Sequence, residues 1–257
     1  MPREMKKNLK VSVITATYNR EATIARSISS VKSQTYTNIQ LVVVDGASQD
    51  NTMLIVTPML SNEDVLQSEP DQGIYDALNK GLVLADGDII AFLHSDDLYF
   101  DKGVISKVVE IFSDDSIDVV YGDVCFFSAN NIMKTIRRYR SDKLSKRNLA
   151  WGKMPAHPAM FIKRQIFEEI GYFETNFNIA ADYEFLCRLV HYANLKSFYT
   201  SSVLVRMQLG GVSTRGFRNA IMLNKEVFRA IRQNGIYTNV FMLLSKYPAK
   251  ILQLLKK

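Results

Sequence analysis

The first hundred residues alternate short apolar runs with segments of helical spacing, and this alternation restricts the fold more than any other feature. The apolar runs predict strands and the intervening segments predict helices. The predicted strands are residues 11–17, 39–45, 65–69 and 88–93, and the predicted helices are 21–33, 52–60 and 74–85. Strands that alternate with helices at such short intervals need right-handed crossovers. The sequence therefore predicts an α/β fold with a parallel, doubly wound sheet.

Length, charge and cysteine content narrow the class of protein. The chain has 257 residues and a net charge of +6, which fits one large domain and weakly favours anionic partners such as a nucleotide diphosphate or an acidic membrane surface. No helix-turn-helix, zinc-finger or RNA-binding signature is present, so we do not expect nucleic acid as a partner. Cys125 and Cys187 form no CxxC pair, and no apolar run approaches the roughly 20 residues that span a bilayer. We expect a cytoplasmic protein.

Polar side chains follow all four predicted strands. The first strand ends in Thr17-Tyr18-Asn19, the second in Asp45, the third in Glu69 and Asp71, and the fourth in Asp96-Asp97. The carboxyl ends of parallel strands share one sheet edge, where open α/β sheets bind ligands, so these groups outline a cleft for a ligand rich in hydroxyls and phosphate. The alternative is that these loops are polar only because turns are polar.

The adjacent carboxylates of Asp96 and Asp97 suit a hard divalent cation that is shared with the phosphates of a nucleotide. An acidic turn, with a helix beginning at Leu98, is the alternative. The chain has no GxxxxGK[ST] and no GxGxxG motif, which argues against a P-loop kinase or a nicotinamide-dependent dehydrogenase. Phosphate would then be held by a cation.

Four runs in this region resemble a known family in order and spacing: VSVITATYNR, VVVDGASQDNT, SEPDQGIYDALNKG and GDIIAFLHSDD. They are similar to the nucleotide-sugar half of the inverting glycosyltransferases of family 2, in a subgroup that assembles bacterial polysaccharides. The resemblance implies a GT-A fold, a Rossmann-like, mostly parallel sheet flanked by helices. It implies a nucleotide-sugar-binding half at 1–100, an acceptor and catalytic half of the same domain at 101–214, and a C-terminal helical appendage at 215–257.

The resemblance also implies roles for individual residues. Asp97, with Asp96, would bind Mn²⁺ or Mg²⁺, and Asp96 would also face the ribose or the sugar. The resemblance implies that Thr17 and Asp45 line the nucleoside pocket. The other candidate donor-binding residues are Tyr18, Asn19, Asp71, Asn79, Asp96, Gln208 and Ser213. His94 replaces an acid that many members carry, and it is either an outer-sphere partner of the metal or a histidine of the core.

The second half is expected to hold the acceptor site. We predict strands at 119–128 and 132–140 joined at Asn130-Asn131, a strand at 154–162 entered through two prolines, and a helix at 163–170. Residues 134–153 carry eight basic residues and one acid, Asp142. This stretch is either a basic rim facing a lipid diphosphate acceptor or a solvated charged face.

The run NFNIAADYEFLCRL leads from a polar loop into a helix at Asp182, where the family has an acid-Asp pair; Ala181 replaces the first acid. The resemblance makes Asp182 the catalytic general base, and a helix N-terminus favours its ionised form. An ordinary N-cap aspartate is the alternative. Glu184 lies on another face of the helix and is placed to pair with Arg188 four residues later.

A strand at 203–209 leads into Gly210-Gly211-Val212-Ser213, which is either a segment that closes over the donor diphosphate or a surface turn. Helices are predicted at 215–233 and 238–255. The last combines leucines and lysines, which suits either an interfacial membrane contact or docking on the core.

The predicted function is a metal-dependent, inverting transfer of a sugar from a nucleotide-diphosphate donor, with a UDP-sugar favoured. The acceptor would be a glycan or a polyprenyl-diphosphate-linked glycan in surface polysaccharide biosynthesis, at the inner face of the plasma membrane. A sugar nucleotidyltransferase is an alternative, but the loop TYNREAT lacks the Gly-rich, basic sequence of such enzymes. A nucleotide-sugar-binding scaffold without turnover is a third, which the four acids Asp45, Asp96, Asp97 and Asp182 disfavour.

Overall fold

Four parallel strands with helices between them form the first half of the molecule. The computed structural model describes residues 8–141, 143–209 and 216–245. The strands are β1 (Val11–Thr17), β2 (Ile39–Asp45), β3 (Val65–Ser68) and β4 (Ile89–Phe92), and the helices are α1 (Ile24–Lys32), α2 (Thr52–Val56) and α3 (Ile74–Leu84). Their order in the sheet is β3-β2-β1-β4, and all three pairings are parallel. The predicted parallel sheet is confirmed.

The strand order reverses between β1 and β4, where the chain returns to the sheet after β3. Every residue of β1 and β4 is buried, because helices cover both faces of this part of the sheet. Only the ends of these strands are therefore available to a ligand, and their carboxyl ends flank the crevice that such a reversal creates.

The second half continues the same sheet with strands of both directions. It contains β5 (Leu98–Tyr99), α4 (Val104–Ile111), β6 (Val119–Ser128), β7 (Asn131–Tyr139), α5 (Lys146–Ala150), β8 (Met160–Lys163), α6 (Arg164–Ile170), α7 (Ala181–Leu189), β9 (Ser197–Gln208), α8 (Gly216–Gln233) and α9 (Val240–Leu244). β8 lies antiparallel between β4 and β6, while β9 runs parallel to β6 and antiparallel to β5. β7 forms a hairpin with β6.

Several predicted elements differ from the structure. The predicted strand at 154–162 is wrong in its first part, because a 3-10 turn at His157–Ala159 precedes β8 and Pro158 in that turn has no N–H to donate. Leu98 begins strand β5 and not a helix. The predicted helix at 52–60 ends at Val56, where a 3-10 turn containing a proline takes over. The hairpin turn lies one residue earlier than predicted.

Two apolar clusters cover the two faces of the sheet. One lies between the sheet and α1 and α4, and the other lies between the sheet and α3, α7 and α8. The C-terminal helices and the segment between them contribute buried residues to the second cluster: Val227, Ala230, Ile231, Ile236 and Leu243. Residues 246–257, which include most of the predicted last helix, lie outside the described residues. None of the described helices is both long and apolar enough to cross a membrane.

Candidate active site

The ends of β1 and β2 bring two predicted donor residues side by side. Thr17 and Asp45 are register partners at the carboxyl ends of these strands. The buried carboxylate of Asp45 accepts hydrogen bonds from the Ser48 backbone N–H (2.9 Å), the Ser48 hydroxyl and the Ser68 hydroxyl (2.7 Å). The buried hydroxyl of Thr17, in contrast, has no hydrogen-bond partner among the described residues. A buried hydroxyl without a partner is rare and is available to a bound ligand.

The loop after β1 is joined to the loop after β2 by a pair of hydrogen bonds. The backbone N–H of Asn19 donates to the Ser48 hydroxyl, and its side-chain oxygen accepts from the Gln49 N–H, both at 2.8 Å. Asn19 adopts a left-handed conformation with φ of 50°, which asparagine tolerates better than most residues. The side chain of Asn19 therefore fixes the shape of this loop.

Gly46, the residue after β2, marks where the loops after β1, β2 and β3 converge. A Cβ atom at Gly46 would overlap the carboxylate of Asp71 and contact the ring of Tyr18. Tyr18 is half-exposed and follows β1, while Asp71 follows β3 and accepts from the Gly73 N–H at 2.9 Å. The structure thus brings together five residues that the sequence assigned to the donor site: Thr17, Tyr18, Asn19, Asp45 and Asp71.

Asp97 is a buried carboxylate with few partners. One oxygen accepts the backbone N–H of Gln208 at 3.2 Å, the one hydrogen bond that the described part of the chain offers this carboxylate. Burial raises the pKa of Asp97 well above its usual range, and the neighbouring Asp96 raises it further. A buried carboxylate whose charge is poorly compensated has the chemistry of a cation ligand, because a divalent ion would stabilise its ionised form.

Arg26 of α1 partly compensates the charge of Asp97. Its guanidinium donates to the side-chain oxygen of Gln208, and its charge lowers the pKa of Asp97 against the effect of burial. The Nε atom of Arg26 is buried without a hydrogen-bond partner among residues 8–141, 143–209 and 216–245. The sequence identified Gln208 but not Arg26, because only the fold brings α1 next to the end of β9.

The acids after β4 fit a divalent cation that also binds a phosphate. No group of three or more His, Cys, Asp or Glu side chains in the described part of the chain is arranged to hold a metal by itself. Asp97, with Asp96, would hold Mn²⁺ or Mg²⁺ only if a diphosphate supplied further oxygens, which is the usual arrangement for these ions. His94 is half-buried, and its burial lowers its pKa, so it is neutral and does not compensate the acids.

Asp182 lies in the first turn of α7, where the sequence placed the general base. Ala180, not Asp182, is the N-cap residue, so the N-cap alternative is wrong. One carboxylate oxygen accepts the N–H of Tyr183 (2.8 Å) and lies 3.2 Å from the hydroxyl of Tyr75, at the start of α3. Burial raises the pKa of Asp182 to about 6, although both hydrogen bonds lower it. A carboxylate with this pKa is ionised at neutral pH and is a stronger base than an exposed aspartate.

Glu226 of α8 caps the helix that carries Asp182. Its carboxylate accepts the backbone N–H groups of Asn178 (2.9 Å), Ile179 (2.9 Å) and Ala180 (3.0 Å). Burial alone would raise the pKa of Glu226, but these bonds hold it below its usual value. Sequence reasoning missed this residue, because it lies 46 positions after Ala180, the N-cap residue of the helix.

Two further contacts anchor the loop between α6 and α7. Asn79 of α3 donates to the carbonyl of Phe173 (2.8 Å) and accepts its N–H (2.9 Å), and the Phe173 ring packs against Phe92 at the end of β4. The predicted pair of Glu184 and Arg188 is confirmed at 2.8 Å. Because its amide is occupied by Phe173, Asn79 joins the two halves of the molecule, and the donor site proposed below omits it.

We expect Glu226→Gln to destabilise the protein, because glutamine offers one acceptor oxygen where the carboxylate serves three N–H groups. Leaving buried N–H groups unpaired costs roughly 1–3 kcal/mol each, so Tm should fall by at least about 4 °C. The matched control is Glu110→Gln, an exposed glutamate on α4, which should leave Tm unchanged. Equal Tm values for the two variants would show that the cap contributes little.

Comparison with known proteins places this site in a family. The family model described as "Glycosyl transferase family 2" matches residues 12–171. The PGL/p-HBAD biosynthesis glycosyltransferase of Mycobacterium bovis is 31% identical over 208 residues, which cover 79% of this chain and 78% of that protein. The Escherichia coli UDP-Glc:alpha-D-GlcNAc-diphosphoundecaprenol beta-1,3-glucosyltransferase WfgD is 36% identical over 124 residues, 48% of this chain and about half (49%) of that enzyme.

Solved structures share the fold at low sequence identity. S. aureus TarS in complex with UDP-GlcNAc has a TM-score of 0.66 at 19% identity, covering 88% of this chain and 65% of the other. The mannosyltransferase PcManGT from Pyrobaculum calidifontis, in complex with GDP-Man and Mn²⁺, has a TM-score of 0.64 at 21% identity, covering 88% and 64%. The fold is that of the GT-A glycosyltransferases.

The chain therefore belongs to glycosyl transferase family 2 and is a glycosyltransferase. This assignment removes the sugar nucleotidyltransferase alternative. Ser213, the remaining predicted donor residue, lies outside the described residues.

Proposed function

We propose that this enzyme transfers one sugar from a UDP-sugar to a hydroxyl group of a lipid-linked glycan, using a divalent cation and inverting the anomeric configuration. The observation that carries the proposal is the environment of Asp97, a buried carboxylate at the carboxyl edge of a parallel sheet that accepts one hydrogen bond from the described residues. Such a group is costly to keep ionised unless a cation and a diphosphate complete the site.

The proposed donor site lies along the ends of β1 to β4. The nucleoside would lie near Thr17 and Asp45, where the unpaired hydroxyl and the oriented carboxylate are available for its hydroxyl and base groups. The diphosphate would lie toward Asp97, with Gln208 beside it. The other residues of the proposed donor site are Tyr18, Asn19, Asp71, Asp96 and Ser213.

The proposed metal ligands are Asp97 and Asp96. When bound there, Mn²⁺ or Mg²⁺ would neutralise charge that develops on the departing diphosphate. Arg26 adds a positive charge from the protein itself. Like a bound cation, it stabilises the ionised form of Asp97 and lowers its pKa. The rings of His157 and Phe173 pack against Phe92, the last residue of β4, and support the end of this strand.

Asp182 is the proposed general base. As the acceptor oxygen forms its bond to the anomeric carbon, its proton passes to the carboxylate of Asp182. The bond between the anomeric carbon and the diphosphate oxygen breaks at the same time, and the electron pair leaves with the nucleotide. A single displacement from the opposite face inverts configuration, so NMR should show a product anomer opposite to that of the donor.

The donor and acceptor classes are supported by relatives. The printed names of WfgD and of the TarS complex specify UDP-glucose and UDP-GlcNAc, and WfgD acts on a diphosphoundecaprenol-linked sugar. PcManGT was crystallised with GDP-Man, so GDP is the competing nucleotide. The basic stretch before α5 and within it suits an acceptor that carries a diphosphate.

A thermal-shift panel of UDP, GDP, dTDP and CMP, each with Mn²⁺ and with chelator, tests the donor. We expect a rise in Tm only for the combination of UDP and Mn²⁺. A ligand at about 100 times its Kd adds roughly 2.7 kcal/mol to the free energy of unfolding. For a domain of this size that is a shift of roughly 5–10 °C. If GDP were the one nucleotide that raises Tm, the donor would be a GDP-sugar and not a UDP-sugar. If the Tm shift were the same with Mn²⁺ and with chelator, the metal would have no role in nucleotide binding.

A further inference from the structure

α9 presents an apolar face to solvent. Phe241, Val240 and Leu244 are 86%, 57% and 48% exposed, and Tyr237, just before the helix, is 70% exposed. At 100° per residue these three helical positions span about 100° on one side of α9, while the buried Leu243 and the partly buried Met242 lie on the other side and pack in the core. The helix is therefore anchored by one side, and its other side is an apolar face that the described residues leave exposed.

The exposed residue Trp151 belongs to a segment that is hydrogen-bonded to the segment before α9. The hydroxyl of Thr238 donates to the carbonyl of Ala150 at 2.7 Å, which holds the start of α9 against the end of α5. Trp151 and Tyr237 are the chain neighbours of these two residues, and Trp151 is 40% exposed. We call Trp151, Tyr237, Val240, Phe241 and Leu244 the aromatic face. Several exposed apolar side chains in one region of the surface are typical of interaction surfaces.

Positive charge adjoins the aromatic face. A surface depression of about 600 Å³ is lined by Trp151 together with Lys143, Arg147 and Lys153. None of these three cations is in an ion pair with a carboxylate in the part of the chain that the structure describes.

We propose that the aromatic face and its basic border form a docking surface for an anionic lipid bilayer. Tryptophan, tyrosine and phenylalanine enter the interface between headgroups and acyl chains, and lysine and arginine beside them attract anionic headgroups. A second copy of this chain fits the surface less well, because the two basic borders would repel each other.

The docking surface is connected to the candidate active site. The hydroxyl of Tyr183, the residue after Asp182, donates to the carbonyl of Leu149 in α5, two residues before Trp151. Membrane contact at this surface would bring the acceptor side of the active site near the bilayer. The functional reason for this docking rests on the lipid-linked acceptor proposed above. Lipid binding itself is measurable without any sugar transfer.

Flotation with vesicles tests the proposal on the full chain. We compare vesicles of phosphatidylcholine alone with vesicles that contain phosphatidylglycerol, and expect binding to the anionic vesicles that weakens as salt is raised. The double variant Tyr237→Ser/Phe241→Ser should bind them at least roughly tenfold more weakly, because two aromatic rings no longer enter the interface. Lys143→Gln/Arg147→Gln should weaken binding by roughly tenfold or more at low salt.

The control variants are Leu54→Ser and Val83→Ser, exposed apolar residues on α2 and α3, which should bind vesicles as the wild type does. The proposal is overturned if the wild type does not bind anionic vesicles, or if both double variants bind as tightly as it does. It is also overturned if light scattering shows a dimer that Phe241→Ser dissociates. The nucleotide thermal shift, measured on every variant, reports on folding and on the donor site separately. Vesicle binding without any nucleotide shift would overturn the proposed function and leave the docking surface standing.

Discussion

Asp182→Asn is expected to reduce turnover by roughly 10²–10⁴, because a carboxamide cannot accept the proton of the acceptor hydroxyl. Asparagine has the same shape and keeps an oxygen that accepts from Tyr183 and Tyr75, so the start of α7 should be unchanged. The measurement is kcat for sugar transfer, together with the Tm shift that UDP and Mn²⁺ produce, which should equal that of the wild type.

The pH dependence of kcat provides a second test of Asp182. Because burial raises its pKa to about 6, the rate should fall below that pH as the carboxylate is protonated. Tyr75 and Glu226 are the titratable groups that influence this carboxylate, together with the backbone N–H of Tyr183, and the charge of Glu226 raises the pKa of Asp182. Glu226→Gln should therefore move the acidic limb of the profile to lower pH.

The raised pKa of Asp182 also determines how this residue affects folding stability as pH changes. The pKa of Asp182 is higher in the folded than in the unfolded chain, so its contribution to stability is present at acidic pH and is lost as pH rises to about 6. Asp182→Asn should consequently not lower Tm at neutral pH. The control is Glu174→Gln, an exposed residue of the loop before α7, which should keep full activity. If Asp182→Asn also kept full activity, the base would have to be another group.

Asp97→Asn is expected to abolish the effect of Mn²⁺ on nucleotide binding. The variant loses a charged ligand of the proposed cation, so UDP with Mn²⁺ should no longer raise Tm, and turnover should fall at least roughly a hundredfold. In the absence of metal the variant should be more stable than the wild type at neutral pH. The reason is that burial raises the pKa of Asp97 in the folded chain, so that the stability it contributes at low pH is lost as pH rises.

The matched control for Asp97 is Asp101→Asn. Asp101 is an exposed acid four residues later that pairs with Lys107 at 3.0 Å, and its loss should change neither the Mn²⁺ effect nor turnover. A wild-type Mn²⁺ response in Asp97→Asn would assign the metal to other ligands. Compared with the wild type, Asp97→Asn should have a lower Tm when UDP and Mn²⁺ are present and a higher Tm when metal is absent. A residue that is needed only for folding would lower Tm under both conditions when it is replaced.

The first half of the fold was predictable because its signals are local. β1 and β2 begin and end at the predicted residues, and a parallel sheet places their carboxyl ends on one edge without further information. The convergence of Thr17, Asp45 and Asp71 followed from this topology. The second half was less predictable, because strands of both directions are inserted into one sheet and short elements such as β5 carry little periodicity.

Contacts between distant segments were not predictable from local pattern. Glu226 looks like any other charged residue of an amphipathic helix, and only the packing of α8 on α7 brings it to three N–H groups. Arg26 likewise appears to be a surface residue of α1 until β9 places Gln208 beside it. Before β8, the two prolines predict the entry to a strand, whereas the chain forms a 3-10 turn there.

The contacts of α3 have a consequence for recombination between relatives. Asn79 holds Phe173 by two hydrogen bonds, and the Tyr75 hydroxyl lies 2.7 Å from the carbonyl of Ile179. A chimera that took residues 1–100 from a relative would combine α3 of one protein with the loop between α6 and α7 of the other. The hydrogen bonds between them would then join residues from two different sequences. The unit of exchange is therefore discontinuous in sequence, and donor specificity is inherited together with the loop that presents Asp182.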